Sequence, residues 1–124
     1  FLDKKKSIKA LNIYNNYFPN NFKISKKILL LLKNLKNNKK KIYLVSNGNK
    51  KRQLNKIKRL KIKNFFIKIF ILDGKKSKFK PSTESVSYLK NKFKNSKTVM
   101  IGDSKIDKKF AKNLKVKYIK YFTT

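Results

Sequence analysis

Apolar positions along this chain alternate between two spacings. Ile28, Leu31, Leu32 and Leu35 recur at the i, i+3, i+4, i+7 interval of one helix face, with Ser25 placed to cap it. Asn37 and Asn38 break that run. The β-prone stretch 42–45 follows and ends in the turn-forming Ser46-Asn47-Gly48. Leu54, Ile57 and Leu60 form a second helix stripe, and residues 65–72 read as a second strand closed by Asp73-Gly74. A basic loop leads to Lys80-Pro81, whose proline suits the first turn of a helix lined by Val86, Leu89 and Phe93. Residues 98–101 predict a third strand, Ile106, Phe110 and Leu114 another helix face, and 116–121 a last strand.

Strands that alternate with helices predict an α/β fold. Right-handed βαβ units build a Rossmann-like, three-layer arrangement, with a parallel sheet covered by helices on both faces. Residues 1–22 fit this scheme less well: Ala10, Leu11, Tyr14 and Phe18 match a helix that Pro19 would end. The expected organisation is an N-terminal segment at 1–22 and one core domain at 23–124, since 124 residues leave no room for a second core. No repeat or linker interrupts it.

Composition narrows the function classes. The 40% hydrophobic and 13% aromatic content supports a packed core rather than wholesale disorder. The longest apolar patch, residues 28–32, is far short of the roughly 20 residues that span a bilayer. With no cysteine there is no disulfide scaffold and no zinc–thiolate site, which fits a cytoplasmic protein. With no histidine, His-based triads and zinc–imidazole sites are excluded. The formal charge of +31 implies nonspecific adhesion to nucleic acid at low salt. Only Arg52 and Arg59 are arginines, however, and the excess of lysine, asparagine, isoleucine and aromatics also matches A/T-rich codons.

Against 36 Lys and Arg, the 5 acidic residues stand out, and two of them fall in Gly102-Asp103-Ser104-Lys105-Ile106-Asp107. An apolar strand that ends in glycine and two carboxylates is where an α/β protein offers hard oxygen ligands to Mg²⁺. Two more polar signals follow other strands: Ser46 with Asn47, and Lys80. A hydroxyl donor, a fixed cation and an acid pair are the parts that stabilise a phosphoryl group in transfer. Each has a plainer alternative: a strand-ending turn for Ser46-Asn47, solvated surface for Lys80, a helix cap for Asp103, and pairing with Lys108 or Lys112 for Asp107. Asp73-Gly74 reads as a turn without chemistry, and Glu84 as a favourable partner of a helix N-terminus.

The ordered set 42–48, Lys80-Pro81 and 101–104 with Asp107 resembles the haloacid dehalogenase-like hydrolase superfamily, over about residues 24–120. The resemblance implies a Mg²⁺-dependent phosphatase acting on a small phosphorylated metabolite; no membrane partner is expected, because the apolar runs are short. It implies that Ser46 and Asn47 hold the phosphoryl oxygens and that Lys80 balances their charge. Asp103 would ligate Mg²⁺, with Asp107 in or just behind the ligand shell. The alternatives kept beside it are a basic nucleic-acid-binding protein on an α/β scaffold and a noncatalytic relative.

One departure matters. The superfamily's nucleophile is the first Asp of a D-x-D-x-T motif on the first, central strand, and no such motif occurs here. The nearest candidate is Asp3 in Phe1-Leu2-Asp3-Lys4-Lys5-Lys6-Ser7, with lysine in place of the second Asp. Either Asp3 is a degenerate nucleophile, or the motif lay upstream and residues 1–18 end a helical cap or linker. The second reading is favoured, because two apolar residues before Asp3 are too few for a central strand. On it, this piece alone should not catalyse.

Overall fold

The computed structural model describes residues 23–95 and 97–121. Asp3 and the helix expected near residues 10–18 lie outside them. The chain divides into two compact units, 1–71 and 72–124, with the division inside a strand.

In the first unit, α1 (Lys26–Asn37) leads to β1 (Tyr43–Asn47), α2 (Lys50–Leu60), a 3₁₀ turn (Lys63–Phe65) and β2 (Lys68–Leu72). Ser25 caps α1 as expected, its Oγ accepting the Ile28 N–H at 3.2 Å. Asn49 does the same for α2 through the Arg52 N–H at 2.9 Å. β1 pairs with β2. Leu32, Ile57 and Ile62 form the buried centre, surrounded by Ile28, Ile42, Leu44, Phe65 and Ile69 among others. Two boundaries differ from the sequence expectation. β1 runs on through Ser46 and Asn47, which are part of the strand rather than a turn beyond it. β2 starts at Lys68 rather than residue 65, because Phe65 and Phe66 pack on the core from a 3₁₀ turn instead of extending.

In the second unit, a 3₁₀ helix (Glu84–Leu89) runs into α3 (Lys90–Asn95), followed by β3 (Val99–Gly102), α4 (Lys105–Leu114) and β4 (Lys117–Lys120). β3 and β4 are parallel, with Met100 opposite Tyr118 and Gly102 opposite Lys120. This is one complete βαβ unit of the predicted α/β class. α4 packs against both strands, burying Phe110, Ala111 and Leu114. Burial of a side chain the size of Phe110 contributes about 2–3 kcal/mol.

Pro81 does not start a helix. It sits in a turn closed by the Ser82 N–H on the Phe79 carbonyl at 3.0 Å, with a cis Lys80–Pro81 bond, and helical residues begin only at Glu84. The Pro81 carbonyl accepts the Asn113 side-chain amide at 3.0 Å, which ties the turn to α4. Glu84 does lie in a first helical turn, and it also pairs with Lys78 across 2.9 Å in solvent. No helix among the described residues is long and apolar enough to cross a membrane.

Candidate functional site

The second unit gathers its chemistry at the carboxyl end of β3. The strand stops at Gly102, Asp103 follows, and Ser104 caps α4 by accepting the Asp107 N–H at 3.1 Å. The cap is therefore Ser104 and not Asp103, whose carboxylate is left at an exposed position. Asp107 lies in the first turn of α4 and faces inward, the only buried charged residue among those described.

A buried carboxylate needs a partner, and Asp107 finds it in Lys80. The Lys80 Nζ donates to Asp107 Oδ1 at 2.7 Å, and both side chains are only 12% exposed. Neither Lys108 nor Lys112, the neighbours on the same helix, is the partner in this pair. Burial acts to raise the Asp107 pKa. The hydrogen bond and charge of Lys80, the Ser104 hydroxyl and the Asp103 backbone N–H outweigh it, so the carboxyl lies below its ordinary value of 3.8.

Glycine at 102 is a steric requirement. A Cβ there would sit 2.6 Å from both Cβ and Oδ2 of Asp107, closer than such atoms approach. The carboxylate thus rests on the bare backbone of the strand end.

Lys80 is delivered by an ordered loop. Asp73 Oδ1 accepts the N–H groups of Lys75 at 2.9 Å and Lys76 at 3.1 Å, and Ser77 Oγ accepts the Asp73 N–H at 3.1 Å. The backbone hydrogen bond from Lys75 is the main cause of a lowered Asp73 pKa. Gly74, at φ +78°, lies under the Phe79 ring, where a Cβ would meet Cε2 at 2.5 Å. Asp73-Gly74 is thus a turn, as expected, and it shapes the segment that ends at Lys80.

Tyr118 was not foreseen. Its hydroxyl donates to the Gly102 carbonyl at 2.9 Å and lies 3.3 Å from the Ser104 carbonyl, so it touches both residues that flank Asp103. Desolvation, with the negative charges of Asp107 and Asp103, raises its pKa and keeps it a proton donor. A tyrosine at a half-buried strand position whose hydroxyl must find a partner is the signal that could have found it.

The other sequence candidates belong to the first unit or lie outside the described residues. Ser46 and Asn47 belong to the first unit, half-buried at the end of β1, where the Ser46 hydroxyl donates to the Asn47 carbonyl at 3.5 Å. Asp3 is outside the described residues.

The donor set bears on metal binding. Among the described residues no group of three or more His, Cys, Asp or Glu could enclose an ion. Asp103 and Asp107 are hard oxygen donors, and Mg²⁺ is commonly held by one or two carboxylates, with water and phosphate completing its octahedron. The residues fit such an ion. Asp103 is the solvent-facing donor, whereas Asp107 already spends Oδ1 on Lys80.

Residues 2–121 match the family model described as haloacid dehalogenase-like hydrolase. A hydrolase from Streptococcus pneumoniae TIGR4 superposes with a TM-score of 0.69 at 21% identity, over 96% of this chain and 60% of that one. A provisionally assigned phosphoglycolate phosphatase from Lactobacillus delbrueckii subsp. bulgaricus ATCC BAA-365 gives a TM-score of 0.61 at 26% identity, over 77% and 40%. The chain therefore spans less than two thirds of the length of these solved relatives. A search of curated proteins returns no match.

Proposed function

Because the chain belongs to the haloacid dehalogenase-like hydrolase family, we propose that its second unit carries the metal and charge-balancing half of a Mg²⁺-dependent phosphatase site for a small phosphorylated metabolite. The observation that carries this reading is the Lys80–Asp107 pair beside Asp103, at the carboxyl end of β3. Strand carboxyl ends are where such sheets bind ligands.

The roles follow from charge. Asp107 fixes the Lys80 ammonium at one place, so no reorganisation is needed when negative charge grows on a phosphoryl group. Lys80 cancels one of the two carboxylates, which leaves the group Lys80, Asp103 and Asp107 with one net negative charge. That suits a divalent cation, and the cation in turn suits a phosphate. Mg²⁺ held by Asp103 would supply neutralisation of the phosphoryl oxygens. The lysine-rich surroundings favour the approach of anionic substrates.

In the two-step hydrolysis that the resemblance implies, a carboxylate would attack phosphorus as the ester P–O bond breaks and the alcohol leaves with a proton. Water would then displace the carboxylate, its oxygen ending on the released phosphate. The attacking carboxylate implied by the family resemblance has Asp3 as its nearest sequence candidate in this chain. The roles of Ser46 and Asn47 as donors to phosphoryl oxygens are proposed on the same resemblance.

The test is binding rather than turnover. The chain is titrated with Mg²⁺ and, separately, with inorganic phosphate in the presence of Mg²⁺. Asp103→Asn should abolish Mg²⁺ binding, Lys80→Gln should weaken phosphate binding about tenfold or more, and Ser46→Ala should weaken it less. Unchanged Mg²⁺ affinity in Asp103→Asn would reject the reading.

A further inference from the structure

We propose that Tyr118 is a positioning residue for Asp103: its hydroxyl pins the strand-to-helix turn that presents this carboxylate to a divalent cation. The inference rests on the reading of Asp103 as a metal-holding group.

Tyr118 lies on β4 opposite Met100, and its hydroxyl reaches the carbonyl of Gly102, the last residue of β3. Its hydroxyl meets the carbonyls of Gly102 and Ser104, the residues immediately before and after Asp103. The same two carbonyls carry the adjoining structure. Gly102 also accepts the Tyr121 N–H at 2.8 Å, and Ser104 also accepts the Lys108 N–H of α4 at 3.1 Å. One side chain therefore couples the end of β3, the first turn of α4 and the start of the segment beyond β4.

Asp103 itself is exposed, and its backbone N–H donates to the Asp107 carboxylate. Tyr118 holds the peptide just before Asp103 through the Gly102 carbonyl, and the 104–105 peptide one residue further on through the Ser104 carbonyl. A phenylalanine would fill the same apolar space, and the chain uses phenylalanine freely, with 10 Phe to 6 Tyr. The hydroxyl adds the hold on the turn. Outer partners that orient a metal-binding side chain commonly matter 10–100-fold for metal affinity.

The experiment compares four proteins: wild type, Tyr118→Phe, Asp103→Asn, and Tyr88→Phe as an exposed tyrosine control. Each is titrated with Mg²⁺ alone and followed by amide chemical shifts, together with thermal melting. Asp103→Asn should lose Mg²⁺ binding, Tyr118→Phe should bind about tenfold more weakly, and Tyr88→Phe should match wild type. The Tyr118→Phe midpoint should stay close to wild type. Amide hydrogen exchange adds a second readout: residues 103 and 104 should exchange faster in Tyr118→Phe, while Ala111 and Leu114 of α4 keep their protection.

If Asp103→Asn loses Mg²⁺ while Tyr118→Phe binds like wild type, the positioning role is wrong and the metal site stands. If Asp103→Asn binds like wild type, the metal reading fails and takes this inference with it. Equal acceleration of exchange throughout α4 would assign Tyr118 to general stability and overturn the proposal.

Discussion

Lys80 and Asp107, 27 positions apart along the chain, meet in a 2.7 Å ion pair with both side chains largely withdrawn from water. The pair joins a loop and a helix that share no local sequence pattern. It fixes a cation next to a strand end that carries a second, exposed carboxylate.

Removing one partner should cost more than removing both. Lys80→Met leaves the Asp107 charge buried and uncompensated, a change worth about 3 kcal/mol. The double variant Lys80→Met/Asp107→Leu should recover a large part of that loss. Chemical denaturation of the two single variants and the double one gives the coupling directly.

Acid should weaken the fold through Asp107. Its folded-state pKa lies below 3.8, so the unfolded chain takes up the proton first as pH falls. The stabilisation is therefore fully present above the unfolded value and is lost as pH drops through the folded one. Melting temperature followed from pH 6 down to about pH 2 should fall more steeply for wild type than for Asp107→Asn. Parallel curves would show that the pair does not contribute.

Gly102→Ala should disturb Asp107 before it disturbs anything else. The added methyl would press on Cβ and Oδ2 of Asp107 at 2.6 Å, and overpacking of this kind costs about 1–3 kcal/mol. A carbon-detected NMR titration should show the Asp107 carboxyl moving up toward its ordinary value as it parts from Lys80.

Lys115→Gly should stabilise the second unit. Lys115 ends α4 in the left-handed region at φ 61°, a conformation that favours glycine. Lys61 ends α2 in the same way at φ 57°. In a chain with only 3 glycines, lysine occupies these helix ends at a conformational cost. Relief should be about 0.5–1 kcal/mol, read as a higher melting midpoint with an unchanged far-UV spectrum.

Elements set by short-range pattern were legible in the sequence. The stripe of Ile28, Leu31, Leu32 and Leu35 and the cap at Ser25 lie within one helix, so spacing alone reveals them. The same holds for α2, α4 and the four strands. Boundaries failed where packing overrode local preference. Phe65 and Phe66 look β-prone but turn to reach the core, and Pro81 looks like a helix start but serves a turn bound to Asn113.

At the candidate site, the sequence by itself determined which residue types were on offer. Scarce acids on one short stretch, a lysine before a proline and the alternation of strand and helix carry the resemblance to haloacid dehalogenase-like hydrolases, and the family match agrees. Only the tertiary structure decided that Lys80, among 36 Lys and Arg, is the one that meets Asp107. It alone put Tyr118 against the carbonyls around Asp103 and showed that Gly102 must lack a side chain. The physical reason is range: helix and strand periodicity act within a few residues, whereas a buried charge takes whichever partner the folded backbone brings within hydrogen-bonding distance.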